Sequence, residues 1–308
     1  MVCLGIDSSN YRSSAAAVFD DFSYISERKL LSVDLGKRGL RQSDAVFLHT
    51  RQLPDVLTDV LKQISVKDIS AVSVSSKPRN IAGSYMPCFL SGLSLGKTVS
   101  AVLNVPLFEF SHQEGHIAAA LLSSNRQDLF NKKFIAFHLS GGTTEALLVT
   151  PDSVGGFNSE IVGKTLDINA GQVIDRVGVM LGLEFPSGPR LETMALNGIA
   201  AKGIKPCVKG TDCALSGAEN FCKNLLLKNE SPNNIAASAL EYVVSTVVKM
   251  TEEVLRLYGE LPLVFSGGVV ANKALRQRLS ERFEANFASL ELSGDNAVGT
   301  ALLGKKRL

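Results

Sequence analysis

Residues 133–152 read KFIAFHLSGGTTEALLVTPD, in which an apolar run ends in a turn of small polar residues and a second apolar run follows. This pattern predicts a strand, a tight turn and a returning strand. Residues 2–20, VCLGIDSSNYRSSAAAVFD, show the same arrangement. The two copies lie about 130 residues apart, which indicates a duplicated fold rather than a short-period repeat.

A third apolar run, within residues 261–279, ends in a glycine pair and continues into a helical pattern. Apolar residues at helical spacing predict further helices over 43–64, 88–104 and 232–259. We expect Pro54 to mark a break or a first turn in the first of these, and the second, which is rich in small residues, to be buried. Strands that alternate with helices indicate an α/β fold with helices on the sheet faces.

The 308 residues are enough for two domains, each with its own core. We place the boundary near Pro106, so that residues 1–106 form the first subdomain and residues 107–294 form the second, which includes a helical insertion. The C-terminal segment 295–308 is predicted to be a helix that packs back on the first subdomain.

Composition and charge narrow the functional classes. Apolar residues make up 45% of the chain, charged residues 20%, and the net charge of +2 is too small to indicate a nucleic-acid or membrane-surface protein, although a local basic patch is compatible with it. The N-terminus lacks the apolar core of a signal peptide, and no window has the roughly 18–20 apolar residues of a membrane span. We expect a cytoplasmic protein that partners neither a membrane nor DNA.

The cysteines predict reduced thiols rather than a disulfide framework or a zinc knuckle. The chain has 5 of them, an odd number, and none form a CxxC pair. Cys207 and Cys213, in a polar segment, are the pair that a redox role would use.

Glycine turns at strand ends are candidate phosphate sites. A phosphate close to the backbone needs glycine, because a Cβ would block its approach, and the amides of such a turn form an anion site. SGG occurs at 140–142 and again at 266–268. One SGG alone is more typical of an ordinary tight turn. Two of them with a duplicated strand-turn-strand unit fit the actin, sugar-kinase and Hsp70-type fold, in which two related domains hold a nucleotide between them.

Two aspartates in the segment 165–189 form a second candidate site. Asp167 and Asp175 are spaced so that they would lie close to one face of a helix. Each also fits the role of a helix cap or of a solvated surface charge. The chain has no GxxxxGK[ST] motif, so a P-loop is not expected.

The segment HQEGH, residues 112–116, places two of the chain's 4 histidines one helical turn apart. His112 and His116 could present ring nitrogens to one cation, or they could be partly exposed helix residues with no ligand. Glu114 comes one position later than the glutamate of the HExxH zincins, which turns it about 100° around the helix, so zincin chemistry is not indicated. Asp295 is the candidate for a third ligand.

Six segments, in order, resemble the TsaD-type family of tRNA threonylcarbamoyladenosine synthases, formerly classed as glycoproteases. They are LGIDSS, HQEGHIAA, LSGGTTEALLV, GKTLDINAGQVIDRVGVMLGLEFPSGP, SGGVVANKALRQRL and, near the C-terminus, the tripeptide Asp-Asn-Ala at 295–297. The resemblance implies the duplicated actin-like fold. It also implies transfer of the threonylcarbamoyl group from threonylcarbamoyl-AMP to N6 of adenosine 37 in tRNA.

The same resemblance implies a site. His112, His116 and Asp295 would hold one divalent metal, iron or zinc, acting as a Lewis acid. The substrate and its adenine nucleotide (threonylcarbamoyl-AMP, ATP or AMP) would be bound by Leu139, Ser140, Gly141, Gly142, Thr143, Asp175, Gly188 and Asn272. No catalytic side chain is assigned. The implied partners are tRNA as substrate and a TsaB-like subunit or a second copy of the chain.

Departures from the family motifs suggest a divergent member. The family reads ETSCDET where this chain has DSSNYRS, so an acidic pair has become Tyr11 and Arg12. SGGHT has become SGGTT, which loses a histidine at Thr143, and SGLKT has become SGAEN, which replaces a lysine with Glu219. Two hypotheses follow: a transferase, or a non-catalytic nucleotide- and metal-binding paralogue that pairs with a TsaB-like or TsaD-like protein. A peptidase has little support, because no nucleophile-base pair is visible.

Overall fold

The computed structural model describes residues 1–9, 11–32, 40–153, 155–294 and 296–308. The chain forms two compact units. The first comprises Met1–Lys132, Thr150–Asn158 and Glu291–Leu308, and the second comprises Lys133–Val149 and Ser159–Leu290.

The strands and helices follow one another in an α/β order. The strands are β1 (Val2–Ser9), β2 (Arg12–Val18), β3 (Tyr24–Leu30), β4 (Ile69–Lys77), β5 (Leu107–Ser111), β6 (Phe134–Leu139), β7 (Thr144–Pro151), β8 (Phe157–Lys164), β9 (Cys207–Lys209), β10 (Asp212–Ala214), β11 (Leu263–Ser266) and β12 (Ala285–Phe287). The α-helices are α1 (Gln42–Leu61), α2 (Phe89–Leu103), α3 (His112–Ser123), α4 (Ala170–Met180), α5 (Gly188–Ala195), α6 (Ser216–Leu227), α7 (Pro232–Tyr258), α8 (Lys273–Arg282) and α9 (Val298–Lys305).

The sheet of the first unit has the order β3-β2-β1-β4-β5. Its central strand β1 is antiparallel to β2 and parallel to β4. Leu4 and Ile6 pack on one face in a core shared with α1 and α2. On the other face Gly5 lies against α9, where an added Cβ would overlap Ala301. Both faces are covered, which explains why β1 is buried along its whole length.

The first unit continues beyond Pro106. Strand β5 pairs with β4 and so completes the first sheet. Helix α3 packs on α9 at a pair of glycines, since a Cβ on Gly299 would overlap the carbonyl of Gly115. These contacts place residues up to Lys132, together with α9, in the first unit.

The sheet of the second unit has the order β12-β11-β6-β7-β8. Its central strand β6 is antiparallel to β7 and parallel to β11, so the two sheets share one topology. The duplicated α/β arrangement predicted from the two strand-turn-strand segments is therefore confirmed. Phe137 and Phe265 stack with ring centroids 4.8 Å apart in the core against which α7 packs.

Two helix predictions were wrong in part. Pro54 lies inside the continuous helix α1 rather than at a break. The helix buries Leu53 on one side of the proline and Val56 and Leu57 on the other, and this packing outweighs the lost backbone hydrogen bond. Helix α2 is not buried as a whole: Gly92 and Gly96 face the sheet, whereas much of its outer face is exposed.

Other sequence predictions agree with the structure. Helix α7 has Pro232 in its first turn and ends before Gly259, whose φ of 87° suits a glycine. The 5 cysteines are free thiols, with Cys207 exposed and Cys213 buried. No helix in the described part of the chain combines the length and the apolar character that crossing a bilayer requires.

Candidate metal and nucleotide site

The histidine pair lies at the start of α3 in the first unit. Ser111 caps this helix: its hydroxyl accepts from the Glu114 amide, and the Glu114 carboxylate accepts from the Ser111 amide at 2.8 Å. The capping fixes where the helix begins and therefore where its first turn points. His112 and His116 stack edge to face, with their Nε2 atoms 2.9 Å apart. Both histidines predicted to bind a metal thus converge on one point.

A buried carboxylate contacts His112 at its other ring nitrogen, Nδ1. Asp7 Oδ2 lies 2.8 Å from His112 Nδ1, and Asp7 is 0% exposed. Sequence reasoning did not single out Asp7, because it lies on β1, far along the chain from α3. Its signal in the sequence was an acidic residue directly after the apolar run of β1.

The two imidazoles fit a bound cation. Imidazole nitrogens are common ligands of zinc and iron, and His112 Nε2 and His116 Nε2 lie close enough, at 2.9 Å, to face one cation. Asp295, the predicted third ligand, lies outside the described residues. Among the residues that are described, no group of three His, Cys, Asp or Glu side chains is arranged to hold a metal.

The glycine turn between β6 and β7 lies in the second unit, on the first turn of α4. The Ser140 hydroxyl accepts from the amides of Gly142 and Thr143 at 3.2 and 3.0 Å. The Gly171 amide donates to the Ser140 carbonyl at 3.1 Å. A Cβ added to Gly141 or Gly142 would meet no heavy atom within 4 Å. The chain's own packing does not require glycine there, and space on that side is open.

The second glycine turn has a structural glycine. Gly267 has a φ of 98°, and an added Cβ would overlap the carbonyl of Leu139 on the neighbouring strand. At the base of this turn Ser266 Oγ donates to the Phe137 carbonyl at 3.1 Å and lies 3.2 Å from His138 Nδ1. Since a hydroxyl has one proton, His138 Nδ1 is the donor in the second contact. His138 was not among the predicted site residues, although it directly precedes the LSGG motif.

Asp175 and Gly188 come together in the second unit. Asp175 Oδ1 accepts from the Ser187 amide at 2.8 Å, which fixes the turn that leads into α5. A Cβ on Gly188 would have Ile174 Cγ2 as its nearest neighbour, at 3.9 Å, so this side of the turn is open as well. Asn272 is the N-cap of α8 and accepts from the Leu275 amide at 2.9 Å.

Asp167 does not share a helix face with Asp175, contrary to one prediction. It precedes α4, which begins at Ala170, and accepts from the amides of Leu215 and Ser216 at 2.7 and 3.0 Å. These bonds satisfy amides at the start of α6, so the alternative reading as a helix cap describes Asp167 better. Burial raises the pKa of this carboxyl, but the hydrogen bonds outweigh burial and leave the pKa below its ordinary value.

The positions that depart from the family motifs have contacts of their own. Tyr11 is exposed and Arg12 begins β2. Glu219 forms ion pairs with Lys223 at 2.7 Å and Arg176 at 3.1 Å. The hydrogen bond from Lys223, followed by that from Arg176, holds the pKa of this carboxyl below its ordinary value.

Comparison with solved structures identifies the fold. The chain is similar to component A of (R)-2-hydroxyglutaryl-CoA dehydratase from Acidaminococcus fermentans, with 16% identity, a TM-score of 0.55 and 100% of both chains covered. It is similar to full-length HypF in its phosphate- and nucleotide-bound form, with 15% identity, a TM-score of 0.60 and 99% of this chain covered but 46% of HypF. The chain thus spans about half the length of HypF.

The chain is also similar to a ROK family glucokinase from Streptomyces griseus in complex with glucose and AMPPNP. The identity is 9%, the TM-score is 0.55, and the match covers 98% of this chain and 99% of the glucokinase. At these identities the likeness shows the fold alone. The predicted duplicated actin-like and sugar-kinase fold is confirmed. Residues 37–302 match a family described as TsaD: tRNA N6-adenosine threonylcarbamoyltransferase. That match covers most of the chain, so the protein belongs to the TsaD family of transferases.

Proposed function

We propose that this protein transfers the threonylcarbamoyl group from threonylcarbamoyl-AMP to N6 of adenosine 37 in tRNA. The observation that carries the proposal is the approach of His112 Nε2 to His116 Nε2 at 2.9 Å in a member of the TsaD family. In the reaction, N6 bonds to the carbamoyl carbon and loses a proton. The bond from that carbon to the phosphate oxygen breaks, and AMP leaves with the electron pair.

The first unit would bind the metal. His112 and His116, with Asp295, would hold one iron or zinc ion. When bound, such an ion polarises a phosphate or carbamoyl oxygen as a Lewis acid. The chain's part is to hold the ring nitrogens in place, through the Ser111 cap of α3 and the contact of His112 with Asp7.

The second unit would bind the nucleotide. Gly141 and Gly142 leave open space where a phosphate could approach the backbone, at the N-terminal end of α4. The amides of Gly142 and Thr143 already donate to Ser140 Oγ, so a phosphate that uses them replaces this hydroxyl as the acceptor. Nucleotides bound by the similar folds of HypF and the glucokinase support this assignment.

Three further residues of the second unit would contact the nucleotide. Asp175 uses Oδ1 for the Ser187 amide, and we assign the ribose to its carboxylate. Gly188 leaves room for the nucleoside. Asn272, which already caps α8, would contribute its side-chain amide.

Glu219 favours a second candidate function. It stands where the family motif has a lysine, and it is paired with Lys223 and Arg176. A site that lacks the positive charge of this lysine, and has Tyr11 and Arg12 in place of an acidic pair, suits a non-catalytic paralogue. Such a protein would hold a metal and a nucleotide while pairing with a TsaB-like or TsaD-like subunit, or with a second copy of itself.

One assay separates the two functions. The purified chain is given threonylcarbamoyl-AMP and unmodified tRNA, with and without a TsaB-like partner, and nucleosides are analysed by mass spectrometry. We expect threonylcarbamoyladenosine with the native protein and with Ser123→Ala, at the far end of α3, but not with His112→Ala. Tight nucleotide binding without any modified adenosine would overturn the transferase and favour the paralogue.

A further inference from the structure

We propose that Asp7 is the positioning residue of the metal site: its carboxylate fixes the ring of His112 so that Nε2 faces the cation. This inference rests on the metal half of the proposed function and does not depend on the transfer reaction. Asp7 is not itself assigned as a ligand.

The alternation of β1 places Asp7 on the required face. Ser8 points toward α2, because its hydroxyl donates to the Cys88 carbonyl at 2.9 Å and accepts from the Gly92 amide at 3.0 Å. Successive side chains of a strand point to opposite faces. Asp7 therefore points to the face on which α9 lies against Gly5, and there it meets His112 of α3.

The contact with Asp7 favours one tautomer of His112. Asp7 Oδ2 lies 2.8 Å from His112 Nδ1, and a carboxylate beside Nδ1 favours the neutral ring that carries its proton on that nitrogen. The lone pair is then on Nε2, the atom that faces His116. Metal-binding histidines characteristically have a carboxylate, a backbone carbonyl or a water at their second ring nitrogen, which fixes both tautomer and ring orientation.

The burial of Asp7 indicates a missing partner. The residue is 0% exposed, and neither carboxylate oxygen forms a hydrogen bond to a described residue, although Oδ2 lies 2.8 Å from His112 Nδ1. Ser9, two residues along the same face of β1, is also buried, and its hydroxyl has no hydrogen-bond partner in the described part of the chain. A buried carboxylate with incomplete hydrogen bonding costs folding free energy.

The ring of His49, which contacts the Ser9 carbonyl, does not supply positive charge. His49 donates Nε2–H to the Ser9 carbonyl and accepts at Nδ1 from Ser13, both at 2.8 Å, which describes a neutral ring. A divalent cation bound on the far side of His112 would supply positive charge across that ring, which gives the buried carboxylate of Asp7 a reason to lie beside the histidine pair.

The test uses metal binding rather than transfer activity. The purified full chain is stripped of metal and titrated with Zn²⁺ by calorimetry and with Co²⁺ by its visible spectrum. We expect Asp7→Asn to bind Zn²⁺ about 10–100-fold more weakly and to show an altered Co²⁺ spectrum. Asp7→Glu, which keeps the charge, should recover part of the affinity. Asp20→Asn, at an exposed aspartate, should match the native protein.

Thermal unfolding of the metal-free chain separates positioning from a purely structural role. Removing a buried, poorly partnered charge should leave the melting temperature of metal-free Asp7→Asn equal or higher, while the rise on adding Zn²⁺ shrinks. A native affinity and spectrum for Asp7→Asn would overturn the inference while leaving the histidine site intact. If Asp7→Asn does not fold, Asp7→Glu decides: an unchanged Co²⁺ spectrum in that variant contradicts the inference. His112→Ala tests the site itself, because unchanged metal loading there would defeat the proposed ligands.

Discussion

His112 and His116 lie one turn apart at the start of α3, and their Nε2 atoms are 2.9 Å apart. Neutral imidazoles at this distance share one hydrogen bond, or they share one cation. The family of the chain and the carboxylate behind His112 favour the cation. In the proposed site each ring would contribute one ligand atom, so neither could replace the other.

We therefore predict that His116→Ala lowers Zn²⁺ affinity by more than about 100-fold, which exceeds the usual cost of losing an outer partner. Metal content after dialysis against a fixed free Zn²⁺ concentration measures this. Ser123→Ala lies on the same helix and should load metal normally. Equal metal content in His116→Ala and the native chain would show that the metal lies elsewhere.

The glycine turn allows a clean test of nucleotide binding. A Cβ on Gly142 would meet no heavy atom within 4 Å, so Gly142→Ala should leave the melting temperature unchanged. If the backbone there approaches a phosphate, the added methyl should weaken binding of ATP or AMP by about tenfold, roughly 1.4 kcal/mol. Isothermal titration calorimetry gives both affinities. Native affinity in Gly142→Ala would remove this turn from the proposed nucleotide site.

Gly171→Ala is the contrasting variant. Its Cβ would lie 2.6 Å from the Gly141 amide nitrogen and 2.7 Å from Gly141 Cα, so the glycine turn must move off the first turn of α4. We expect this substitution to lower both the melting temperature and the nucleotide affinity. A variant as stable as the native chain would contradict the packing of α4 on the turn.

Glu114 should matter for stability rather than for chemistry. Its carboxylate accepts from the Ser111 amide at 2.8 Å, from the Ser111 hydroxyl at 2.7 Å and from the Phe157 amide at 3.2 Å. Glu114→Ala leaves buried donors without an acceptor, and we predict a loss of about 3 kcal/mol in the free energy of unfolding. Urea denaturation measures it. Glu109→Ala, at an exposed position of β5, should change stability by less than about 0.5 kcal/mol.

The sequence predicted the fold because its evidence is local. Apolar runs separated by small polar turns specify hairpins, and the repeat of this pattern at Val2 and Lys133 predicted two sheets of one topology. Pro54 was misjudged because burial on both sides of it depends on the rest of the fold.

The site could be predicted only in part for a related reason. The spacing of His112 and His116 is visible in five residues, whereas Asp7 reaches His112 only once β1 and α3 have packed. Asp167 shows that a spacing in the sequence can also predict a relationship that the fold does not form. Its spacing from Asp175 suggested a shared helix face, yet its hydrogen bonds go to the start of α6, nearly fifty residues along the chain.

His49 gives the chain a pH-dependent stability. The ring is 0% exposed and bonded at both nitrogens, and burial lowers its pKa, although the Ser9 carbonyl opposes that shift. An unfolded histidine titrates near pH 6.5. Below about that pH the unfolded chain binds a proton at this residue that the folded chain does not bind. Stability contributed by the neutral ring is thus complete above this pH and is lost as the pH falls.

We predict that the free energy of unfolding of the metal-free chain declines between pH 7.5 and 5.5, and that His49→Gln declines less. The variant should already be about 1–3 kcal/mol less stable at pH 7.5, because the Ser13 and Ser9 partners lose a well-placed ring. Urea denaturation at each pH supplies both curves. The other histidines are present in both proteins and cancel in the difference between them. Parallel curves would show that His49 titrates alike in the folded and unfolded chains, contrary to its burial.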